Sequence, residues 1–222
     1  EGAACALSSS GNWMGQCTMY PKKGYWIILQ SQADLCLENT LLLDPAIEYN
    51  LHTGANLISF PAEGSVSVNN AIIDEIKDFV IAVISEGTAC VQNTSGNWMG
   101  QCSFSGGKGY WIITTEHLSF SYDLNTLSRI KSHNSIGLTY PFGFEVKQSV
   151  LQAFYFADNI KIQNKIINDG WILAYHGNSL VGARKWTGEM IDIPVMGDDG
   201  KVYSQGYIKK GEIPRFMHLN ES

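Results

Sequence analysis

Seven residues, Gly-Asn-Trp-Met-Gly-Gln-Cys, stand twice in this chain, at 11–17 and again at 96–102. Each copy closes a Cys-to-Cys interval of the same length, Cys5 to Cys17 and Cys90 to Cys102. Each is then followed by Lys-Gly-Tyr-Trp-Ile-Ile, at 23–28 and 108–113. Residues 1–38 slide onto 86–123 at a constant offset of 85 with no gap, and 18 of the 38 positions are identical. A tandem repeat constrains the fold more than local propensity does, because both copies should build the same supersecondary unit. Only the second copy is preceded by a front half, residues 51–85. The expected organisation is a partial repeat module over 1–38, a complete one over 39–123 and a different C-terminal module over 124–222.

Within each repeat the pattern reads as hairpins. Residues 5–7 and 13–17 are short strands around a Ser/Gly turn, and the turn at 21–24 leads into Tyr25-Trp-Ile-Ile-Leu29. That last run is crowded with Tyr, Trp and Ile and reads as a strand buried on both faces. In the complete module, residues 51–60 read as a strand ended by Pro61. A single helix is expected over 68–79, where Ile72, Ile73, Ile76 and Phe79 recur at helical spacing and Ser67 or Asn69 can cap the start. Residues 80–85 return as a strand, and 119–122 close the module. After a polar linker around 125–135, strands are expected at 152–156, 160–167, 170–175 and 179–186, separated by Asp-Asn, Asn-Asp-Gly and His-Gly-Asn turns. This is the spacing of a β-sandwich. Residues 192–200 read as a long loop, with last strands near 206–208 and 213–219. The fold class is therefore mainly β, with one short helix.

The two equal Cys intervals point to one disulfide per repeat, Cys5–Cys17 and Cys90–Cys102, with reduced core thiols as the alternative. A zinc site wants about four Cys or His ligands, and no His lies near either pair. Cys36 has no counterpart, since Ser121 stands at its repeat position. Paired cysteines imply an oxidising compartment or a particle assembled outside the reducing cytosol. A charged fraction of 16%, a net charge of −6 and the lack of a Lys/Arg cluster exclude a nucleic-acid footprint. No apolar run reaches 18 residues, so no membrane-inserted helix is expected. Glu1 aligns with Glu86 in mid-repeat, which makes a processed product or fragment the expectation.

Asn56-Leu-Ile-Ser-Phe-Pro61, Glu86-Gly-Thr-Ala89, the two Asn-Trp-Met-Gly runs and the two Lys-Gly-Tyr-Trp runs resemble repeat modules of large surface proteins of marine bacteria and of structural proteins of cyanobacterial viruses. The C-terminal stretches 149–156, 170–175, 181–184 and 192–200 are similar to a β-module found beside those repeats. The resemblance implies an extracellular or virion-borne, non-enzymatic building block that assembles with itself or with neighbouring subunits. It brings no catalytic residues with it, and the missing front half of the first repeat departs from it.

Four tryptophans could stack on sugar rings: Trp13, Trp26, Trp98 and Trp111. The competing reading, which we favour, makes them the core of each repeat. Asn12 and Asn97 read as turn formers. Asp192, Asp198 and Asp199 could hold Ca²⁺ with oxygens from one loop, although the alternating-acid pattern is incomplete and Asp-Asp-Gly also reads as a plain turn. Arg184, on an otherwise apolar strand, should pair with an acid such as Asp192 or stack on an aromatic. Asn93-Thr-Ser95 and Asn220-Glu-Ser222 match the glycosylation acceptor pattern. No nucleophile elbow, phosphate loop or His-Glu-x-x-His is present, and the five histidines stand singly, so no cofactor and no enzyme are expected. The main alternative function is a carbohydrate-binding adhesion module that recognises cell-surface glycans. A third is an accessory domain of a secreted glycoside hydrolase.

Overall fold

The structure is a computed structural model and describes residues 4–16, 18–29, 33–35, 43–100, 102–128, 140–141 and 143–220. The chain opens with a hairpin of β1 (Cys5–Leu7) and β2 (Trp13–Gly15). Three strands follow, β3 (Tyr49–Leu51), β4 (Gly54–Ser59) and β5 (Ser65–Ser67). Two single-turn helices, α1 (Val68–Ala71) and α2 (Asp74–Lys77), lead to β6 (Val80–Ser85). β7 (Thr88–Gln92) and β8 (Trp98–Gly100) make the second hairpin, ahead of β9 (Ser103–Ser105), β10 (Gly109–Thr114) and β11 (Leu118–Phe120). The last part holds β12 (Gln152–Ala157), β13 (Lys161–Ile162), β14 (Lys165–Ile166), β15 (Gly170–His176), β16 (Ser179–Trp186), β17 (Ile191–Met196) and β18 (Arg215–Leu219). The fold is mainly β, as the repeat and the strand spacing imply.

Two compact units emerge, residues 1–85 with 103–131 and residues 86–102 with 132–222. This division does not follow the expected boundaries at 38 and 123. The hairpin of the second repeat groups with the C-terminal module, and the rest of that repeat groups with the first.

In the first unit β10 lies between β4 and β6, antiparallel to both. Alternate residues Tyr110, Ile112 and Thr114 point to the buried face. Asn56 on β4 is almost wholly buried yet fully used. Its Oδ1 accepts from His52 N, and its Nδ2 donates to the carbonyls of His52, Gly54 and Ile112. The core is an aromatic cluster around Tyr122, whose ring meets Tyr49, Phe60, Phe104 and Phe120 edge-on at 4.9–5.4 Å. Burial pushes the Tyr122 hydroxyl well above its ordinary pKa, with Tyr49 and Tyr110 adding to the effect.

The expected single helix over 68–79 is instead two turns. Ser67 caps the first through Asn70 N, as read from the sequence. Ile72 and Ile73 then turn extended (ψ 117° and 149°), and a second turn starts at Asp74. β-Branched Ile72 and Ile73 gain little from helical geometry, and extension lets Ile72 bury almost completely. The strand expected over 51–60 is likewise broken, into β3 and β4.

In the second unit β15 lies between β16 and β18, and β12 pairs with β17. Ile172, Ala174, Val181 and Trp186 from the first sheet share core clusters with Ile191, Ile193, Val195 and Met196 from the second, giving a sandwich-like arrangement. Gly182 permits the close approach: a Cβ there would lie 1.8 Å from Pro194 O. The expected long loop over 192–200 is corrected, because its first half is the buried strand β17. Pro194 and the Asp residues read as loop formers. A strand with one ladder partner, however, tolerates a missing N–H.

Candidate functional site

The two repeats allow the same sequence to be compared in two settings. Their hairpins close identically. Ser8 N donates to Asn12 O at 2.9 Å and Gly11 N to Ser8 O at 3.0 Å, while Asn93 N donates to Asn97 O at 2.9 Å and Gly96 N to Asn93 O at 3.0 Å. Gly15 and Gly100 adopt φ of +99° and +103°, and a Cβ on either would lie 2.2 Å from the carbonyl oxygen of Ala4 or Ala89. Only glycine fits there. Tyr25 OH accepts from Tyr20 N at 2.6 Å, as Tyr110 OH accepts from Ser105 N at 2.7 Å. Asn12 and Asn97 close these turns through their backbone carbonyls, while the side-chain acceptor of the second turn is Asn93, which was not read as a turn former: its Oδ1 takes the N–H of both Ser95 and Asn97.

The copies part after Gly24. Residues 25–29, expected as a strand buried on both faces, form no strand, and all five side chains are exposed. Ile27 is 53% exposed where Ile112 is 0%, and Met19 is 51% exposed where Phe104 is 0%. The cause is the sheet rather than the sequence. β10 has β4 and β6 as neighbours, whereas the first copy borrows only the outer edge of β4. There Gly24 N donates to Leu57 O, Ser59 N to Lys22 O and Ser59 Oγ to Pro21 O. Pairing ends at the Lys23–Ile58 bridge.

The tryptophans do not form the repeat cores. Trp13 is 67% exposed, Trp26 is 37% exposed, and Trp98 and Trp111 are half-buried. The core positions went to Tyr49, Phe60, Phe104, Phe120 and Tyr122, a cluster that sequence periodicity did not flag because its members come from short, separate segments. Cys90 and Cys102 are disulfide-bonded with Cα atoms 5.4 Å apart. Cys5 is also disulfide-bonded, while its expected partner Cys17 lies outside the described residues, as does Cys36.

The three aspartates proposed for calcium are not brought together. Asp192, on β17, is fully buried and ion-paired to Arg184, Oδ2 to Nη2 at 2.6 Å. The pair also grips the start of the second repeat. Arg184 Nη2 donates to Gly87 O, Ala89 N donates to Asp192 Oδ2, and Arg184 Nε donates to Asp192 O. The lone arginine on an apolar strand announced the ion pair, but nothing in the sequence announced its backbone partners. Asp199 organises its own loop, accepting from Ser204 Oγ, Tyr203 OH, Lys201 N and, at 3.5 Å, Val150 N. Burial raises its carboxyl, but these donors outweigh it and hold the pKa at about 2. Asp198 caps Gly200 N. Among the described residues no three His, Cys, Asp or Glu side chains cluster as metal ligands.

His52, His176 and His218 each bond a backbone carbonyl, of Thr53, Gly206 and Asp169, and His176 also meets Glu212 at 3.1 Å. No helix among the described residues is long and apolar enough to cross a membrane. The chain matches no family model, no curated protein and no solved structure.

Proposed function

We propose that this chain is a non-enzymatic structural protein that associates with copies of itself or with neighbouring subunits, outside the cell or on a virion. The observation that carries the reading is the run Tyr25-Trp-Ile-Ile-Leu29, bare in the first repeat although the same Tyr-Trp-Ile-Ile is an interior strand in the second. Large apolar side chains gain about 1.5–3 kcal/mol each on full burial, and an unpaired apolar segment invites strand addition. The Cys90–Cys102 disulfide supports an oxidising setting. The resemblance to repeats of surface and virion proteins points the same way.

Light scattering on the full chain and on a chain lacking residues 1–38 tests this. The full chain should associate as its concentration rises, and the truncated chain should not. A full chain that stays monomeric, with Trp26 freely quenched by acrylamide, would sink the reading. A carbohydrate-binding role is the second reading, favoured by the exposed indole of Trp13. It requires a glycan-array signal that Trp13→Ala removes while association is kept.

A further inference from the structure

We infer that the partner completing residues 25–29 is a repeat front half built on the pattern of residues 51–85 of this chain, which adds one strand on each side of them. This deepens the assembly reading by naming what finishes the first repeat. The second repeat states the requirements directly, because Gly24-Tyr-Trp-Ile-Ile and Gly109-Tyr-Trp-Ile-Ile are the same sequence. Around that copy, Ile58 stands opposite Tyr110 and Asn56 opposite Ile112 on one side, and Ile84 opposite Trp111 and Ala82 opposite Ile113 on the other. Two side chains of the front half then bond to the central strand, Asn56 Nδ2 to Ile112 O at 3.3 Å and Ser85 Oγ to Gly109 O at 2.9 Å. Both acceptors are backbone carbonyls, so Ile27 O and Gly24 O carry the same chemistry in the first repeat.

The first copy is also prepared for that partner. Its hairpin closes as in the second copy, and Tyr25 already makes the bond to Tyr20 N that Tyr110 makes to Ser105 N. The chain's own β4 cannot serve, since β10 pairs with one edge and residues 22–24 take the other. A glycan is a poor match here. Of the side chains at 25–29, only the Tyr25 hydroxyl and the Trp26 indole are polar, and the hydroxyl is already engaged. One position departs from the pattern: Leu29 stands where Thr114 Oγ1 donates to His52 O, so the last pair of the register should be apolar.

The test joins a second copy of residues 51–85 directly ahead of Glu1 in the full chain, which keeps the repeat spacing of 85. Amide exchange at 25–28 should slow by about tenfold or more and approach that of 110–113. Ile27→Asp should lower the melting temperature of the extended chain by about 4 °C or more while leaving the unextended chain within about 1 °C. Unchanged exchange at 25–28, or an equal shift from Ile27→Asp in both chains, would overturn the inference. The association state of the unextended chain is read separately. A monomer there rejects self-assembly without touching the protection result, and protection absent from the extended chain rejects the named partner without touching association.

Discussion

Two stretches of this molecule, residues 4–29 and 89–114, share most of their sequence and half of their structure. The half they share is local. Turn hydrogen bonds, left-handed glycines and the tyrosine hydroxyl on a backbone N–H recur at an offset of 85. The half they do not share depends on neighbours far along the chain, namely β4, β6 and the Arg184–Asp192 pair. Short-range geometry is therefore written into the repeat, whereas burial of its strand is conferred by its partners.

The sharpest way to break this contrast is to remove what clamps the second hairpin. Arg184→Ala removes the guanidinium that pairs with the fully buried Asp192 carboxylate and donates to Gly87 O. Losing one member of a buried pair costs about 3–5 kcal/mol. Chemical denaturation should register a loss of that size, and amides of β7 should exchange faster. An effect below about 1 kcal/mol would mean that the ion pair does not hold the hairpin.

Matched truncation of the two strands comes next. Ile112→Ala should cost about 2–5 kcal/mol, since Ile112 is wholly buried. Ile27→Ala should stay within about 0.5 kcal/mol in the monomer, as expected of a surface site. Equal effects in dilute solution would show that the first strand is already covered. The disulfides provide a third comparison. Replacing Cys90 and Cys102 with Ser removes a cross-link over 12 residues and should cost about 2–3 kcal/mol. Non-reducing peptide mapping should find Cys5 joined to Cys17, and a Cys5–Cys90 link would refute pairing within each repeat.

A smaller effect is expected at the two tyrosine latches. Burial pushes Tyr110 up to about 12 against the partial relief of its bond to Ser105. The neutral phenol is therefore favoured by folding. The associated stability is complete below pH 10 and is lost as pH rises from about 10 through 12, where the unfolded chain has given up a proton that the folded chain keeps. Tyr110→Phe should cost about 1 kcal/mol at neutral pH and flatten part of the alkaline decline of the melting temperature. Tyr25→Phe, with an exposed ring, should do little at neutral pH.

What the sequence revealed follows the same division. The repeat exposed the hairpins and the Cys90–Cys102 interval, which depend on residues close along the chain. Strands β6 and β16 were legible to the residue because alternation and turn signals bracket them. Arg184 pairing with an acid such as Asp192 was legible too, because a charge on an apolar strand needs a counter-ion. The helix break at Ile72-Ile73, the burial of β17 and the aromatic cluster at Tyr122 were not legible. Each is decided by tertiary packing that overrides local pattern: Ile72 gains burial by leaving the helix, and Pro194 sits in a strand that needs only one partner. The bare segment at 25–29 was hidden for the converse reason, since its composition is that of an interior strand and only its lack of strand neighbours says otherwise.

The finest comparison exchanges Ser8 and Asn93, one of the two turn positions that differ between the hairpins. Asn93 Oδ1 accepts from the N–H of both Ser95 and Asn97, at 2.9 Å each. Ser8 Oγ, at the equivalent place, takes the N–H of Asn12 at 3.0 Å and shares a hydrogen with Ser10 Oγ at 2.9 Å. The shorter serine thus serves one backbone donor where asparagine serves two. Asn93→Ser should free the Ser95 amide, and Ser8→Asn should capture the amide of Ser10, which stands 85 positions before Ser95. Each exposed turn bond is worth about 0.5 kcal/mol, so exchange at Ser95 should quicken and exchange at Ser10 should slow by about twofold to threefold. Because the backbone closure is the same in both copies, the two changes should be equal and opposite even though one hairpin is exposed and the other half-buried. A response at Ser95 with none at Ser10 would show that the turn, like the strand that follows it, takes its stability from its surroundings.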